Sequence, residues 1–383
     1  MTDIKALRND FPITRNFVFL DVANKCAPPQ RVADAVCAYV ADQSSTGGDK
    51  DVWHARVEEV RGLFARLIGA SPAEVALVKN TSEGFNLIAN SLRYRAGDNI
   101  VITDLEHPNN TFPWLRLREM GVDVRIVPSH DGSIDPGDFE EYVDDRTRVV
   151  SVTSVACVTG ARLDLRGISQ VCHAHGAYLM VDAVQSLGIL GLDVNADGID
   201  FLASGGYKGL LALHGLGFLY CKAATLKSLR PPVCARANVK VDPTAHKVRS
   251  LDFEYREDAG KFEIGNYSYV AVTAGCESLD YILSVGVLAI EKRVLELSGL
   301  LIDGITDLGI RPLGPTDARR RSSIVSVVTP DAHAATRALK EHKVIASPRE
   351  GAIRFAFHLY NNEEDIERAL VALREVSGHR CGR

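Results

Sequence analysis

A regular alternation of short apolar segments with helical segments, running from residue 74 to residue 220, most constrains the fold. Strands that are apolar along their whole length, with helices between them, are typical of a parallel sheet covered on both faces. The predicted strands are Val75–Val78, Asn99–Thr103, Val122–Val127, Val149–Val155, Tyr178–Val181, Phe201–Ala203 and Gly217–Tyr220. The predicted helices are Gly84–Leu92, Phe112–Met120 with Pro113 in its first turn, and Leu165–His175. Ligands of such sheets bind at the carboxyl ends of the strands, so chemistry is expected in the loops there.

The remaining sequence predicts three units. Residues 1–20 form an N-terminal arm, residues 21–260 a large domain, and residues 261–383 a smaller α+β domain. The large domain begins with two predicted helices, Gln30–Gln43 and Trp53–Leu67. The elements predicted for the small domain are helices Ala271–Val285, Val287–Gly304 and Glu363–Val376 and strands Ile324–Val327 and Ile353–Phe357. The expected fold class is therefore α/β.

Composition excludes several classes of protein. The 383 residues can bury a large core, and 46% apolar and 24% charged residues are ordinary globular usage. The net charge is −5, and the basic run Arg319-Arg320-Arg321 is too short for a nucleic-acid footprint. No apolar run is long enough for a membrane span or a signal peptide. The eight cysteines form no CxxC pair, so we expect no metal site, no disulfide framework, and reduced thiols in a cytoplasmic protein.

Two ionisable side chains follow predicted strands. Asp182 ends the strand Tyr178–Val181, where a carboxylate costs free energy unless it is paired or functional. A structural aspartate with satisfied hydrogen bonds would explain it equally well. Lys208 follows the strand Phe201–Ala203 within Ser204-Gly205-Gly206-Tyr207-Lys208. A buried lysine amine has a lowered pKa and can form a Schiff base with an aldehyde. The alternative is a lysine in a solvent-exposed loop.

Three further features have both a functional and an ordinary explanation. The segment Asn80–Gly84 joins a strand to a helix, and hydroxyl and N–H groups at a helix N-terminus bind anions. A plain N-cap at Thr81 or Ser82 fits equally well. His107, in the loop after a strand, either lies flat on an aromatic ligand or is simply solvated. Arg354 lies within an apolar segment and needs an anion, either a ligand carboxylate or an internal glutamate.

The order of these features resembles the class V aminotransferase family. Its members are fold-type I enzymes that use pyridoxal 5′-phosphate, and they include cysteine desulfurases, selenocysteine lyases and isopenicillin N epimerases. The resemblance runs from Phe19-Leu20-Asp21 to Tyr360-Asn361-Asn362. It is most specific from Val181-Asp182-Ala183-Val184-Gln185-Ser186 to Ser204-Gly205-Gly206-Tyr207-Lys208. It implies the fold of a fold-type I transferase, with a mostly parallel sheet in the large domain and a small α+β domain.

The resemblance also implies roles at the cofactor. Lys208 would bind pyridoxal phosphate covalently and carry the Cα proton, while Asp182 would keep the pyridine nitrogen protonated. His107 would stack on the ring, and Gln185 would hydrogen-bond the phenolic oxygen. The other implied cofactor-binding residues are Thr81, Ser82, Glu83, Ser204, Tyr207 and Asn266.

Substrate and partner contacts follow from the same resemblance. Arg354 would hold the α-carboxylate of an amino acid, and Asn24 and His54 are candidates for substrate specificity. A solvated surface position is the alternative for both. The segment from Lys261 to Asn266 resembles one that reaches the phosphate of the neighbouring subunit, although a threonine usually stands at the position of Asn266. A homodimer with shared active sites is therefore implied, with no nucleic-acid or membrane partner.

Departures from the family pattern guide the predicted reaction. A cysteine desulfurase needs a nucleophilic cysteine shortly before the arginine, and no cysteine lies between Cys276 and Cys381. Cys157 stands where relatives carry an asparagine, and it either tunes the ring or fills space. Tyr207 replaces the histidine of desulfurases, as in the epimerase-like branch. We expect a C–S lyase that acts by β-elimination without a persulfide cysteine. An aminotransferase, an epimerase and a non-catalytic cofactor-binding protein are the alternatives.

Overall fold

The computed structural model describes residues 6–240, 247 and 252–376, and its largest sheet has seven strands in the order β2-β8-β7-β6-β5-β3-β4. The strands are β1 (Val18–Phe19), β2 (Val75–Val78), β3 (Asn99–Thr103), β4 (Asp123–Val127), β5 (Thr147–Thr153), β6 (Tyr178–Asp182), β7 (Phe201–Gly205), β8 (Gly217–Cys221), β9 (Pro312–Leu313), β10 (Ile324–Val328), β11 (Val344–Ile345), β12 (Ser347–Arg349) and β13 (Ala352–Ala356). The α-helices are α1 (Gln30–Thr46), α2 (Lys50–Ile68), α3 (Thr81–Ala89), α4 (Pro108–Leu115), α5 (Leu165–Ala174), α6 (Ala223–Leu226), α7 (Tyr269–Val285), α8 (Val287–Asp307), α9 (Ala332–Glu341) and α10 (Glu363–Val376).

The sheet is parallel except at β8, which runs antiparallel to both β2 and β7. Because β8 is antiparallel to both of its neighbours, β2 runs in the same direction as β6 and β7. Both faces are covered, as the continuous apolar pattern predicted. In β6, Leu179 and Val181 belong to the core that includes Phe64 of α2, whereas Met180 packs in the core with Trp114 of α4. The predicted α/β fold with a mostly parallel sheet is confirmed.

A second, antiparallel sheet in the order β12-β13-β10-β9 lies in the C-terminal part of the chain, with α8 and α9 against it and α10 packed on α8 and α9. The N-terminal segment joins this part, since β1 pairs with β11 and Asp21 pairs with Ala356. Helix α7, however, packs on α1 and α2 and contributes Val272 to the core of the large sheet. The domain division at residues 20 and 260 stays a prediction.

Helix α4 differs from the predicted helix Phe112–Met120. It begins at Pro108, after His107 accepts a hydrogen bond from the Asn109 amide at 3.2 Å, and a 3-10 turn continues from Arg116 to Met120. Pro113 therefore lies inside the helix, not in its first turn, and the prediction was wrong. Proline at the first helical position needs no amide hydrogen there, which makes Pro108 the better start. No helix among the described residues has the length and apolar composition that a membrane span requires.

A buried ion pair anchors the segment that follows Lys261. The Glu263 carboxylate lies 2.6 Å from Arg61 Nη1 of α2 and accepts the Leu77 amide of β2 at 2.7 Å. The Tyr267 hydroxyl donates to the same carboxylate. Arg61 also pairs at 3.0 Å with Glu58, whose side chain is 68% exposed against 1% for Glu263. Glu263 thus ties this segment to one helix and one strand of the large sheet.

We expect Glu263→Gln to lower the free energy of unfolding by about 3 kcal/mol, because it leaves a buried guanidinium without its main counter-charge. Glu58→Gln removes the exposed partner of the same arginine and should cost less than about 1 kcal/mol. Urea unfolding of both variants and the double variant measures these energies. Equal losses for the two single variants would show that burial does not set the strength of this pair.

Candidate active site

A cavity of about 290 Å³ opens where the carboxyl ends of five strands meet. Strands β2, β3, β5, β6 and β7 all end at this edge, because they run in one direction. The volume lies near the lower end for small-molecule pockets, roughly 300–1,000 Å³. Seven of the predicted site residues line the cavity: Thr81, Ser82, His107, Asp182, Gln185, Tyr207 and Lys208.

Asp182 is 3% exposed at the end of β6. One carboxylate oxygen accepts the Val184 amide at 2.9 Å, and the other accepts the side-chain amide of Asn110. Burial raises the pKa of Asp182, while these hydrogen bonds and the nearby charge of Lys208 oppose that rise. Each oxygen accepts from one donor and keeps a further lone pair, so the carboxylate can accept another hydrogen bond from a donor in the cavity.

The surroundings of the Lys208 amine lower its pKa, as a nucleophilic amine requires. Burial lowers its pKa to about 8, the charge of Asp182 opposes this, and the charge of Arg354 adds to it. Nζ lies 5.6 Å from the centre of the Tyr207 ring, and that ring stacks on His214 at 4.1 Å. A larger share of this amine is therefore unprotonated near neutral pH than for a lysine in water, and the free amine is the form that attacks an aldehyde.

The first turn of α3 offers an anion site. The hydrogen bonds that cap this helix are made by neighbouring residues. Asn80 is the N-cap, and its side chain accepts the Glu83 amide at 3.0 Å. The Glu83 carboxylate accepts the Lys79 amide in return. The hydroxyls of Thr81 and Ser82 make no hydrogen bond within the described part of the chain and line the cavity. Hydroxyls and first-turn amides at a nine-residue helix suit a phosphate.

Glu83 therefore takes part in capping α3, and its predicted contact with the cofactor has no support from its carboxylate and stays a prediction. Its carboxylate is turned back onto the Lys79 amide, and it does not line the cavity. A carboxylate beside a phosphate would also repel it. The expectation that Thr81 or Ser82 is the cap is wrong, since Asn80 takes that role.

His107 and Gln185 are placed with their donors available. The His107 Nδ1 accepts the Asn109 amide at 3.2 Å, so Nε2 carries the proton of the neutral ring. Burial and the charge of Lys208 lower the pKa of His107, which favours that neutral form. The Gln185 amide nitrogen donates one hydrogen to the Ala23 carbonyl at 3.1 Å and keeps a second. A flat ring and an amide donor thus face the same cavity.

Ser204 and Asn266 do not line the cavity. The Ser204 side chain is fully buried and its hydroxyl donates to the Gly205 carbonyl at 3.4 Å, so it supports the loop from beneath. Asn266 lies at a second cavity of about 400 Å³, which shares Lys79 and Gly215 with the first.

Asn24 and His54 are also outside the cavity of their own chain. Asn24 is exposed, and its side-chain amide donates to the Asp21 carboxylate at 3.1 Å. His54 is exposed on α2 and lies 3.3 Å from the Tyr269 hydroxyl of α7. The structure gives neither residue a contact with Lys208 or Asp182. Both remain unsupported as substrate ligands within a single chain.

Arg354 is 1% exposed and has no ion pair among the described residues. It donates to the Cys157 carbonyl at 2.8 Å and to the Ser347 hydroxyl at 3.2 Å, and its Nε has no partner. Burial, reinforced by the charge of Arg349, lowers the pKa of Arg354 to about 10. The alternative of an internal arginine–glutamate pair is therefore wrong. A guanidinium without a counter-ion beside the cavity is suited to a ligand carboxylate.

The chain is similar to known proteins over almost its whole length. A family model described as Aminotransferase class-V matches residues 18–369. This chain belongs to the class V aminotransferase family. A probable cysteine desulfurase of Methanothermobacter thermautotrophicus is 32% identical over 97% of this chain and 98% of its own length. An uncharacterised aminotransferase of Schizosaccharomyces pombe is 30% identical over 95% and 94% of the two chains. The apo cysteine desulfurase of Thermococcus onnurineus NA1 superposes with a TM-score of 0.91 at 25% identity, covering 99% of both chains.

Membership of the class V aminotransferases confirms an enzyme that depends on pyridoxal phosphate. The residues present fit that cofactor. Lys208 supplies an amine of lowered pKa, Asp182 a buried carboxylate, and the start of α3 a set of free donors for a phosphate. Within the described ranges, no cluster of His, Cys, Asp or Glu side chains could hold a metal ion.

Two residues of this class V site, Glu106 and Asn110, were not predicted from the sequence. The Glu106 carboxyl accepts the Thr153 amide at 2.7 Å and the Thr103 hydroxyl at 3.0 Å, and its second oxygen is buried without a partner. Asn110 lies close to this carboxyl and donates to Asp182, so its amide lies between two acidic groups. A helix start at Pro108 would have placed Asn110 in the first turn, but the sequence alone favoured a later start.

We expect Glu106 to lower the free energy of unfolding as the pH rises. Burial above all raises its pKa from 4.5 to about 8, and the charge of Asp182 adds to this. The folded chain therefore keeps this proton between about pH 4.5 and 8, where the unfolded chain has lost it. The contribution of Glu106 to stability is complete below about pH 4.5 and is lost as pH rises towards 8.

The variant Glu106→Gln should consequently gain stability relative to the unmodified apoprotein as pH rises from 5 to 9, by more than about 1 kcal/mol. Urea unfolding at a series of pH values measures the difference. Glu119→Gln, at an exposed position, is the matched control and should show a flat difference. A flat profile for Glu106→Gln as well would mean that Glu106 is ionised throughout.

Proposed function

We propose that this chain is a C–S lyase that removes a sulfur substituent from Cβ of a small amino acid by β-elimination, with Lys208 as the proton carrier and without a persulfide cysteine. The observation that carries the proposal is a low-pKa amine that lines the cavity together with a buried arginine without an ion pair among the described residues, which donates to the cavity-lining Cys157, in a class V enzyme. The relatives named as cysteine desulfurases support a sulfur-containing amino acid as the substrate.

Pyridoxal phosphate, when bound, withdraws electrons from Cα of an amino acid and so makes its proton acidic. Lys208 and Thr81 would hold the cofactor at opposite ends of the cavity, and Asp182 would keep a proton on its ring nitrogen. Arg354 orients the substrate by its carboxylate. Lys208 Nζ takes the Cα proton, for which a pKa of about 8 is well matched to neutral pH. The ring of His107 shields the cavity from water.

The described cysteines support a reaction without a sulfur carrier. The stretch 324–351 folds into β10, α9, β11 and β12, and it contains no cysteine. Cys157 is the cavity-lining thiol of the described chain, and burial raises its pKa, which disfavours the nucleophilic thiolate. Cys381 lies outside the described residues.

An aminotransferase is the second candidate, and the Schizosaccharomyces pombe relative carries that name. It would use the same Lys208, Asp182 and Arg354, so only products separate it from a lyase. An epimerase needs a second acid–base group facing Cα. Tyr207 lines the cavity, but burial and the charge of Asp182 raise its pKa, so its phenol is a weak base. The site therefore favours the first two reactions.

A product assay with the purified holoenzyme tests the proposal. L-Cysteine and water should give pyruvate, ammonia and hydrogen sulfide, and borohydride should fix the cofactor on Lys208. Lys208→Ala should lose this activity. A cofactor that turns into its amino form and needs a keto acid to recover would instead identify an aminotransferase, and loss of optical rotation alone an epimerase.

The persulfide question needs a variant of its own. Cys157→Ser should keep turnover within about threefold, whereas removing a covalent nucleophile costs on the order of 10⁴-fold or more. Cys37→Ser, at an exposed position, is the control. Alanine instead of pyruvate as the product, together with loss of activity in Cys157→Ser, would contradict the elimination.

We further propose a homodimer in which the 261–266 segment of one chain approaches the cavity of the other. Support comes from the position of Asn266 outside its own cavity and from Ile264, an apolar side chain that is 51% exposed on this segment. The anchor at Glu263 holds the segment in place for such a contact. A monomer in sedimentation equilibrium at micromolar concentration would rule the arrangement out.

A further inference from the structure

The β12–β13 hairpin presents two arginines on one face. In its register Arg354 stands opposite Ser347 on one side and Ser326 of β10 on the other, and Arg349 stands opposite Ala352. Residues opposite each other, or two apart along a strand, share a face. Arg349 and Arg354 therefore project from the same face of this small sheet.

That face lies against the loop that borders the cavity. The Ser326 hydroxyl donates to the Val158 carbonyl at 2.6 Å, and Arg354 donates to the Cys157 carbonyl at 2.8 Å. Cys157 itself lines the cavity with Lys208. The charge of Arg349 is close enough to lower the pKa values of Lys208 and His107. Arg349 thus lies on the small-sheet side of the active site.

A tight turn fixes the position of Arg349. The two residues between the strands, Glu350 and Gly351, have φ angles of 43° and 78°. Positive φ at both positions is the geometry of a two-residue turn that matches the twist of the strands. Arg349 is the last residue before this turn, so its backbone is held by the hairpin rather than by a mobile loop.

Arg349 has no counter-ion in the part of the chain that the structure describes. No described residue pairs with it or accepts its hydrogen bonds, and its Nε is buried without a partner. Arg354 likewise forms no ion pair with a described acidic residue, since its partners are a carbonyl and a hydroxyl. Lys208, Arg349 and Arg354 outnumber the two carboxylates whose charges reach them, Asp182 at Lys208 and Asp21 at Arg354, because Glu106 holds its proton near neutral pH. Two guanidiniums on one face call for two anionic groups.

We propose that Arg349 binds an acidic group on the side chain of the substrate, so that the preferred substrates are amino acids with a second anionic group beyond Cα. This inference rests on the proposed function for the position of the α-carboxylate at Arg354. The phosphate of the cofactor does not supply the missing anion, because the free donors of Thr81 and Ser82 lie at the start of α3, on the large sheet.

Isosteric ligand pairs test the proposal. Visible absorbance of the holoenzyme is titrated with L-aspartate and L-asparagine, which differ in charge and hardly in shape. The acid should bind about 10- to 100-fold more tightly than the amide. In Arg349→Gln this preference should fall to within about threefold while asparagine binding is unchanged, and Arg349→Lys should keep part of it. Arg311→Gln, with a side chain 89% exposed, is the matched control.

A second readout does not depend on reaction with the cofactor. Succinate should raise the melting temperature of the holoenzyme more than its monoamide does, and Arg349→Gln should abolish the difference. Equal binding of aspartate and asparagine, or an equal loss of both in Arg349→Gln, would overturn the proposal, the latter because Arg349 would then hold the α-carboxylate. Absence of a borohydride adduct on Lys208 would refute the proposed function, whereas the succinate comparison would still decide on Arg349.

Discussion

The carboxylate of Asp182 is the charge on which the rest of the site depends. It is buried at the end of a central strand, where an isolated carboxylate would be protonated. The Val184 amide and the Asn110 side chain each donate to it, and the nearby positive charge of Lys208 favours its ionised form. In return, Asp182 limits how far burial can lower the pKa of Lys208. Lys208 therefore favours the ionised form of Asp182, whereas it is burial, against the charge of Asp182, that keeps part of the Lys208 amine unprotonated near neutral pH.

The sheet order explains why these groups meet. Reversal at β8 lets β2 run parallel to β6 and β7, which brings the start of α3 to the same edge as Asp182 and Lys208. The large sheet thus supplies an amine, an acid and an anion site. The small sheet supplies two guanidiniums across the Cys157 loop, held by a hairpin with a two-residue turn. In the proposed function, the large sheet therefore carries the residues that bind the cofactor, and the small sheet carries those that bind the substrate.

The sequence predicted the elements that carry strong patterns. The buried strands were found to within two residues at each end and the helix Glu363–Val376 with its bounds, and Asp182 and Lys208 were found because a charge after a buried strand is conspicuous. The errors concern side chains that accept hydrogen bonds from backbone amides at the start of a helix. Glu83 was predicted only as a cofactor ligand, although it pairs with Asn80 in capping α3, and His107 was not recognised as the cap of α4. Glu106, Asn110 and Arg349 were missed because their importance lies in what they face across the fold, which no local spacing reveals.

The charge balance of the cavity links these missed residues. If Glu106 were ionised, two adjacent acids would offset much of the positive charge of Lys208, Arg349 and Arg354. Its raised pKa keeps it neutral near pH 7, so the cavity retains an excess of cations. Arg349 and Arg354 repel each other, and the charge of Arg349 adds to burial in lowering the pKa of Arg354. Anionic groups of a ligand relieve that repulsion when they bind. The repulsion between the two guanidiniums therefore favours ligands with more than one negative charge.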